Sequence, residues 1–313
     1  MSQNSLLLIG YSNIARKRIV NTLLKNKLDF SIASKSFIQK IKGVKKQFDN
    51  YDDALLNSDA NIAYISLPNS MHFKWAKKAL LLGYHVIIDK PICCKLSETR
   101  KLISLARKKK KLLSEAIFFN YHKQISKIIA LTEKTKKINK VLANFTIPLP
   151  SNKSILMSKK LQGGVIMDMG PYAASIHRIF FNQNITFSKI SFKKNRNYLP
   201  ISFKLEIQYK KKNYLGLFKF GGEYMNEIEI FTNKKKFSIQ RVFSPPEDLK
   251  LNLKILKNFK TKTIKFKKEN CFKNYLFELI KKINNKEYSY YYKQIENDHI
   301  FRDKIEKKFL KSF

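Results

Sequence analysis

Glycine is scarce in this chain, 9 residues of 313, and there are only 3 cysteines and 1 tryptophan. Acidic residues are scarce too, 23 against 63 lysines and arginines, which leaves a formal charge of +40. Each shortage excludes something. Cys93, Cys94 and Cys271 include an adjacent pair and no metal-ligand spacing, so no metal site is expected and a reducing cytoplasm is the simplest setting. No apolar run approaches the roughly 18 residues that a membrane span needs. Met1-Ser2-Gln3-Asn4 lacks the basic start of a signal peptide, and the following Leu6–Ile9 is too short for its apolar core. There is no internal repeat and no low-complexity linker.

The shortage of acid raises the question of nucleic acid, because basic charge attracts phosphate. The lysines, however, are spread along the chain rather than gathered in a stripe. Only eight of the basic residues are arginine, the type favoured for reading bases. No helix-turn-helix, zinc-finger or RNP motif is present. Asn, Ile, Phe and Tyr are plentiful along with lysine, a joint bias that reflects the nucleotide composition of a gene. No specific nucleic-acid partner is expected. Arg107-Lys108-Lys109-Lys110-Lys111 reads as a solvated helix end.

What is present is a globular composition, 44% hydrophobic, with enough residues for two domains. The most informative stretch is Ile88-Asp89-Lys90-Pro91. It is preceded by the apolar run Ile62–Leu67, the turn Pro68-Asn69-Ser70-Met71-His72, a helical pattern over about 73–82, Gly83 and a second apolar run, Tyr84–Ile88. Strand, helix and strand make a βαβ unit. Lys90 then lies just past the carboxyl end of a buried parallel strand, the edge where ligands bind in open α/β sheets. A lysine in a loop is ordinarily just solvated; this position argues otherwise.

The chain begins with a strand at Leu6–Ile9, the turn Gly10-Tyr11-Ser12-Asn13-Ile14-Ala15 and a helical pattern to about residue 27. This is a variant of the dinucleotide fingerprint, with Ser12 at the second glycine and Ala15 at the third. Gly10 gives the tight turn, Ser12 is small enough to admit a pyrophosphate, and the helix start offers N–H groups. A second strand, Phe30–Ala33, ends in Ser34-Lys35-Ser36, where an NAD site would present a carboxylate. A helical pattern follows it. After Lys90-Pro91 come a helix over about 97–110 and a strand at Leu113–Ala116. A first domain over 1–120 and a second over 121–313 are expected. The second opens with a strand at Val141–Thr146 and a helix from Val165 to about 181. Strand-like runs follow at 186–192, 202–210, 213–220, 226–232 and 236–242, and two helices, about 272–283 and 294–310, close the chain. The short spacing suggests an antiparallel sheet.

Four blocks in order now carry a resemblance: Gly10–Ala15, Ser66-Leu67-Pro68-Asn69 with His72, Asp89-Lys90-Pro91, and Gly163-Gly164 through Tyr172. Together they resemble the Gfo/Idh/MocA oxidoreductases, the glucose–fructose oxidoreductase and inositol dehydrogenase type. The family's usual Glu-Lys-Pro is Asp89-Lys90-Pro91 here, and Tyr172 stands where histidine is usual. The resemblance implies an α/β Rossmann domain followed by an α+β domain with a large open, mostly antiparallel sheet. It also implies an NAD(P)-dependent oxidoreductase acting on a sugar or a nucleotide-linked sugar. The stretch Gly221–Glu227, with Arg241 and Pro245-Pro246, resembles members associated with bacterial surface-sugar synthesis.

The resemblance places Lys90, Asp168 and Tyr172 in the active site. Asp168 and Tyr172, four apart, lie about 40° apart around a helix, whereas His177 lies about 180° from Asp168. His177 is therefore read as structural. Taking a hydride from a carbinol requires removing the hydroxyl proton. Tyr172 is the candidate acid/base, with an ordinary pKa near 10 that a neighbouring Lys90 ammonium would lower. Asp168 would orient the hydroxyl or hold Lys90. Gly10, Ser12, Asn13, Ile14, Ser34, Lys35, Ser36, Ser66, Leu67, Pro68, Asn69, His72, Asp89, Lys90 and Pro91 are expected to line the cofactor. His122 is expected to touch substrate or cap a helix. Without a carboxylate at Ser34–Ser36, NADP is preferred and NAD remains possible. A homodimer or homotetramer is expected through the face of the 202–242 strands. The competing reading is a catalytically silent sugar- or nucleotide-binding member, suggested by the drift at Ser12, Asp89 and Tyr172.

Overall fold

The computed structural model describes residues 4–36, 39–133, 138–181 and 186–313. The chain divides into two compact units, Met1–Ala116 with Tyr275–Glu296, and Ile117–Asn274 with Asn297–Phe313.

The first unit is built on strands β1 (Leu6–Ile9), β2 (Phe30–Ala33), β3 (Gln47–Phe48), β4 (Ile62–Ile65), β5 (His85–Asp89) and β6 (Leu113–Ala116). They form one sheet in the order β3-β2-β1-β4-β5-β6, and every pair is parallel. Parallel strands covered on both faces must be apolar throughout, and β1, β2 and β4 are buried along their whole length. The crossings carry α1 (Asn21–Lys25), reached through a π-helical stretch Ala15–Val20, then α2 (Tyr51–Asn57), α3 (His72–Leu81) and α4 (Leu96–Lys109).

Among the described residues, the expected helix after β2 is not formed. Residues 39–46 are turn and loop, and β3 adds an edge strand. Lys45 N–H donates to Phe30 O, Ile32 N–H to Lys46 O and Ser34 N–H to Phe48 O, so the segment spends its backbone groups on the sheet.

The second unit contains α5 (Lys123–Glu133), β7 (Ile138–Ile147), α6 (Val165–Phe180), β8 (Phe187–Lys194), β9 (Pro200–Tyr209), β10 (Lys212–Phe220), β11 (Met225–Thr232), β12 (Lys236–Gln240), β13 (Asn252–Lys257) and β14 (Lys260–Lys265). Its sheet runs β14-β13-β12-β11-β7-β10-β9-β8, antiparallel except for β7 beside β10. α6 packs on one face, where Val141, Phe145, Phe203, Phe218 and Ile228 are buried. β13, β14 and α5 were not expected. Lysines dilute the alternation of the two strands, but Asn258 and Phe259 both have positive φ (47° and 61°), the geometry of a two-residue hairpin turn.

The last helices are α7 (Cys271–Asn284) and α8 (Ser289–Lys311). A cut at residue 120 misses their return to the first unit. There the Tyr275 hydroxyl lies 2.7 Å from the Ser114 hydroxyl, Tyr292 donates to Lys111 O at 2.5 Å, and Tyr292 and Ile295 join the apolar core.

Candidate active site

In the first unit, Gly10 is required. Its φ is +96°, and a Cβ there would lie 2.2 Å from Ser66 O. Ser12 departs from glycine without blocking the turn, because its hydroxyl points inward. Ser12 Oγ accepts Ala15 N–H at 3.1 Å and lies 2.7 Å from Ser66 Oγ. Ser66 donates its one proton to Asp89 Oδ2 at 2.6 Å, so Ser12 donates to Ser66. Tyr64 donates to Asp89 Oδ1 at 2.5 Å. A directed chain of hydroxyls therefore runs from the glycine turn to the carboxylate beside Lys90. Burial pushes the Asp89 pKa up. The Ser66 and Tyr64 bonds and the charges of His72 and Lys90 oppose this, and the net shift is upward.

Lys90 follows β5, half-buried, in a cis peptide with Pro91. The next turn is fixed by a buried carboxylate, Glu115, whose Oε1 accepts Ile92 N–H at 2.9 Å. His72 has a different place from the one expected. Its ring is fully buried, with Nδ1 2.7 Å from Pro91 O and Nε2 2.8 Å from Leu67 O. Only the doubly protonated ring donates to both. With both nitrogens committed to carbonyls, His72 braces the two strand ends and offers no polar atom to a cofactor.

At the end of β2, Ser34 is buried and its hydroxyl accepts Ser36 N–H at 3.3 Å. Lys35 is exposed, its Nζ 5.6 Å from the centre of the Tyr51 ring. Asn13 and Ile14 are exposed at the helix start, and Leu67, Pro68 and Asn69 are half-buried after β4. The glycine turn, the inward Ser12 and the carboxylate-free end of β2 fit a dinucleotide with its pyrophosphate at the first helix.

In the second unit, Gly163 and Gly164 set the start of α6. A Cβ on Gly163 would lie 2.5 Å from Leu156 O, and Gly164 has φ +96°. Asp168 lies in the first helical turn, where negative charge suits the helix end. Tyr172, one turn on, is half-buried in an aromatic box: Phe119, Phe145 and Phe243 have ring centres 5.8, 5.5 and 5.5 Å from its own. His177 packs between Phe181 and Phe301. Burial, aided by Lys304, pushes its pKa down to about 4. His122 is buried, and its Nδ1 accepts Gln124 N–H at 3.0 Å, so it caps α5. Its Nε2 is buried with no hydrogen-bond partner among the described residues. Its pKa is lowered by burial, against the nearby Glu269. Lys90 and the pair Asp168–Tyr172 thus stand in different units. Among the described residues, no cluster of His, Cys, Asp or Glu suits a metal ion.

An all-parallel sheet with a glycine turn feeding a helix, and a lysine at the carboxyl edge, defines a dinucleotide-binding domain of the Rossmann type. Residues 5–117 match the GFO_IDH_MocA model, described as an oxidoreductase family with an NAD-binding Rossmann fold. A dTDP-3,4-didehydro-2,6-dideoxy-alpha-D-glucose 3-reductase of Actinomadura kijaniata is 25% identical over 250 residues, 76% of this chain and 75% of that protein. A D-xylose 1-dehydrogenase (NADP(+)) of Haloferax volcanii is 29% identical over 140 residues, 44% of this chain and 43% of that protein. The fold matches that of KijD10, a 3-ketoreductase from A. kijaniata in complex with NADP and TDP-benzene, with a TM-score of 0.90 at 20% identity over 98% of both chains.

Proposed function

We propose that this protein is an NADP-preferring oxidoreductase that interconverts a carbinol and a carbonyl on a sugar, the sugar being free or nucleotide-linked. The supporting observation is the hydroxyl chain Ser12–Ser66–Asp89–Tyr64, which ties the glycine turn to the carboxylate next to Lys90. Gly10, Ser12, Asn13, Ile14, Ser34, Lys35, Ser36, Ser66, Leu67, Pro68 and Asn69 hold the dinucleotide. When bound, it supplies or takes up the hydride. Lys90 presents a positive charge to the substrate oxygen as negative charge develops there. Tyr172 gives or takes the hydroxyl proton, and Asp168 orients that hydroxyl. The named relatives are reductases and dehydrogenases of sugars, which supports the substrate class.

The test is NADPH binding followed by turnover on a panel of keto-sugars. Lys90→Ala is expected to lose turnover far more than cofactor affinity. A silent member of the fold would bind NADPH and turn over nothing. The working form is a cytoplasmic homodimer or homotetramer, joined through the face of the second sheet turned away from α6. Light scattering that gives a monomer at micromolar concentration would reject that part.

A further inference from the structure

The second unit carries a polar cluster that the chemistry above leaves unused, at the start of β11 and in the turn after β12. Asn226 is buried, and its amide nitrogen donates to the Tyr224 and Ser244 hydroxyls, both at 2.9 Å. Its Oδ1 accepts Phe243 N–H at 2.8 Å. The Arg241 guanidinium lies over the Tyr224 ring, 4.4 Å from its centre. Arg241 has φ +55°, and its N–H donates to Asn226 O at 2.6 Å, so a strained turn delivers the guanidinium to this place.

The register fixes where the cluster lies. Asn226 is directly opposite Phe145 of β7, and opposite residues share a face. Phe145 is a wall of the Tyr172 box, and so is Phe243, two residues from Arg241. The cluster and Tyr172 therefore occupy one face and one end of the same sheet. The Tyr224 and Ser244 hydroxyls, held by the Asn226 amide, and the Arg241 guanidinium supply the donors here. Burial pushes the Tyr224 pKa up, but the bonds from Ser244 and Asn226 and the nearby Arg241 outweigh it. The net shift is downward, the mark of a field that favours negative charge. Arg241 is exposed and Tyr224 is 39% exposed, so a fork for phosphate oxygens and an aromatic ring both face solvent.

We infer that Tyr224, Asn226, Arg241 and Ser244 form the subsite for the diphosphate of a nucleoside-diphosphate-linked sugar, with the sugar reaching toward Tyr172. This rests on the sugar-oxidoreductase reading and narrows its substrate to the nucleotide-linked class. Titration calorimetry on the full chain with dTDP, UDP, the free nucleosides and inorganic phosphate tests it. A nucleoside diphosphate should bind saturably. Arg241→Ala should weaken that binding by about tenfold to a hundredfold, the loss of a charge-assisted contact. Arg241→Lys, which keeps the charge but loses the fork, should weaken it less. Lys262→Ala, an exposed charge removed elsewhere, should leave it unchanged. NADPH affinity should be the same in all four proteins. Equal diphosphate binding by the Arg241 variants, inorganic phosphate binding as tightly as the nucleotide, or free keto-sugars turned over as well as nucleotide-linked ones would overturn the inference. Failure of every form to bind NADPH would instead overturn the oxidoreductase reading, and the diphosphate titration would still be readable.

Discussion

The two units hold their candidate reactive groups by opposite means. Beside Lys90 the support is polar: two serines and a tyrosine hydroxyl are joined by hydrogen bonds to a carboxylate, and a buried histidine is bonded to the Pro91 and Leu67 carbonyls. Around Tyr172 it is apolar: three phenylalanine rings grip the aromatic body, and two of them, Phe145 and Phe243, are stacked on one another. Hydrogen bonds fix direction and charge, while ring packing fixes position. Damage in the first unit should therefore show in charge and pH dependence, and damage in the second in volume and stability.

The largest expected effect is the loss of Lys90. Lys90→Ala should lower turnover by about 10²–10⁴-fold with NADPH affinity nearly unchanged, read by initial rates and a binding titration. Tyr172→Phe comes next, with turnover down about 10²-fold or more and melting temperature unchanged, because the ring still fills its box. Phe243→Ala sharpens the contrast. Removing a wall should cost about 3–5 kcal/mol in denaturant unfolding. On the polar side, Asp89→Asn keeps the volume but leaves two hydroxyl donors facing an amide. Turnover should fall about tenfold or more and the pH–rate profile should move, with the protein still folded. If Asp89→Asn alters only stability, the comparison fails.

Two smaller effects follow. Ser34→Asp should narrow or reverse an NADP preference of at least about tenfold, or about 1.4 kcal/mol, without touching the rate of the bound complex. Equal use of NAD by the unaltered protein would refute that. Acid should weaken both units. Burial, helped by Lys111 and Lys304 respectively, lowers the pKa of His85 and of His177 to about 4. Both rings stay neutral in the fold while an unfolded histidine takes a proton near 6.5. The stability they contribute is complete above about pH 6.5 and is lost as pH falls toward about 4, which thermal melts across that range would show.

Much of this was legible in the sequence because its physical signal is local. The continuous apolar runs of β1, β4 and β5 can only be strands buried on both faces, and Lys90 follows the last of them. α6 announces itself by Gly163-Gly164 ahead of an apolar run. What was not legible depended on partners distant in the chain. His72 looked like a lining residue because nothing local shows its two carbonyl acceptors. Tyr64 in β4 and Ser66 just past its end, two apart in the chain, both reach Asp89, and a tyrosine in an otherwise aliphatic run was a usable sign of that network. The return of Tyr275–Glu296 to the first unit rests on hydroxyls reaching Ser114 and Lys111, which no periodicity reveals.

The account stands most directly on one assay: oxidation of NADPH by the purified protein against a panel of free and nucleotide-linked keto-sugars, with Lys90→Ala alongside. It predicts saturable NADPH binding by both proteins, and substrate-dependent oxidation by the unaltered protein that Lys90→Ala all but abolishes. Absence of binding to either NADPH or NADH at millimolar concentration, or full turnover by Lys90→Ala, would contradict it.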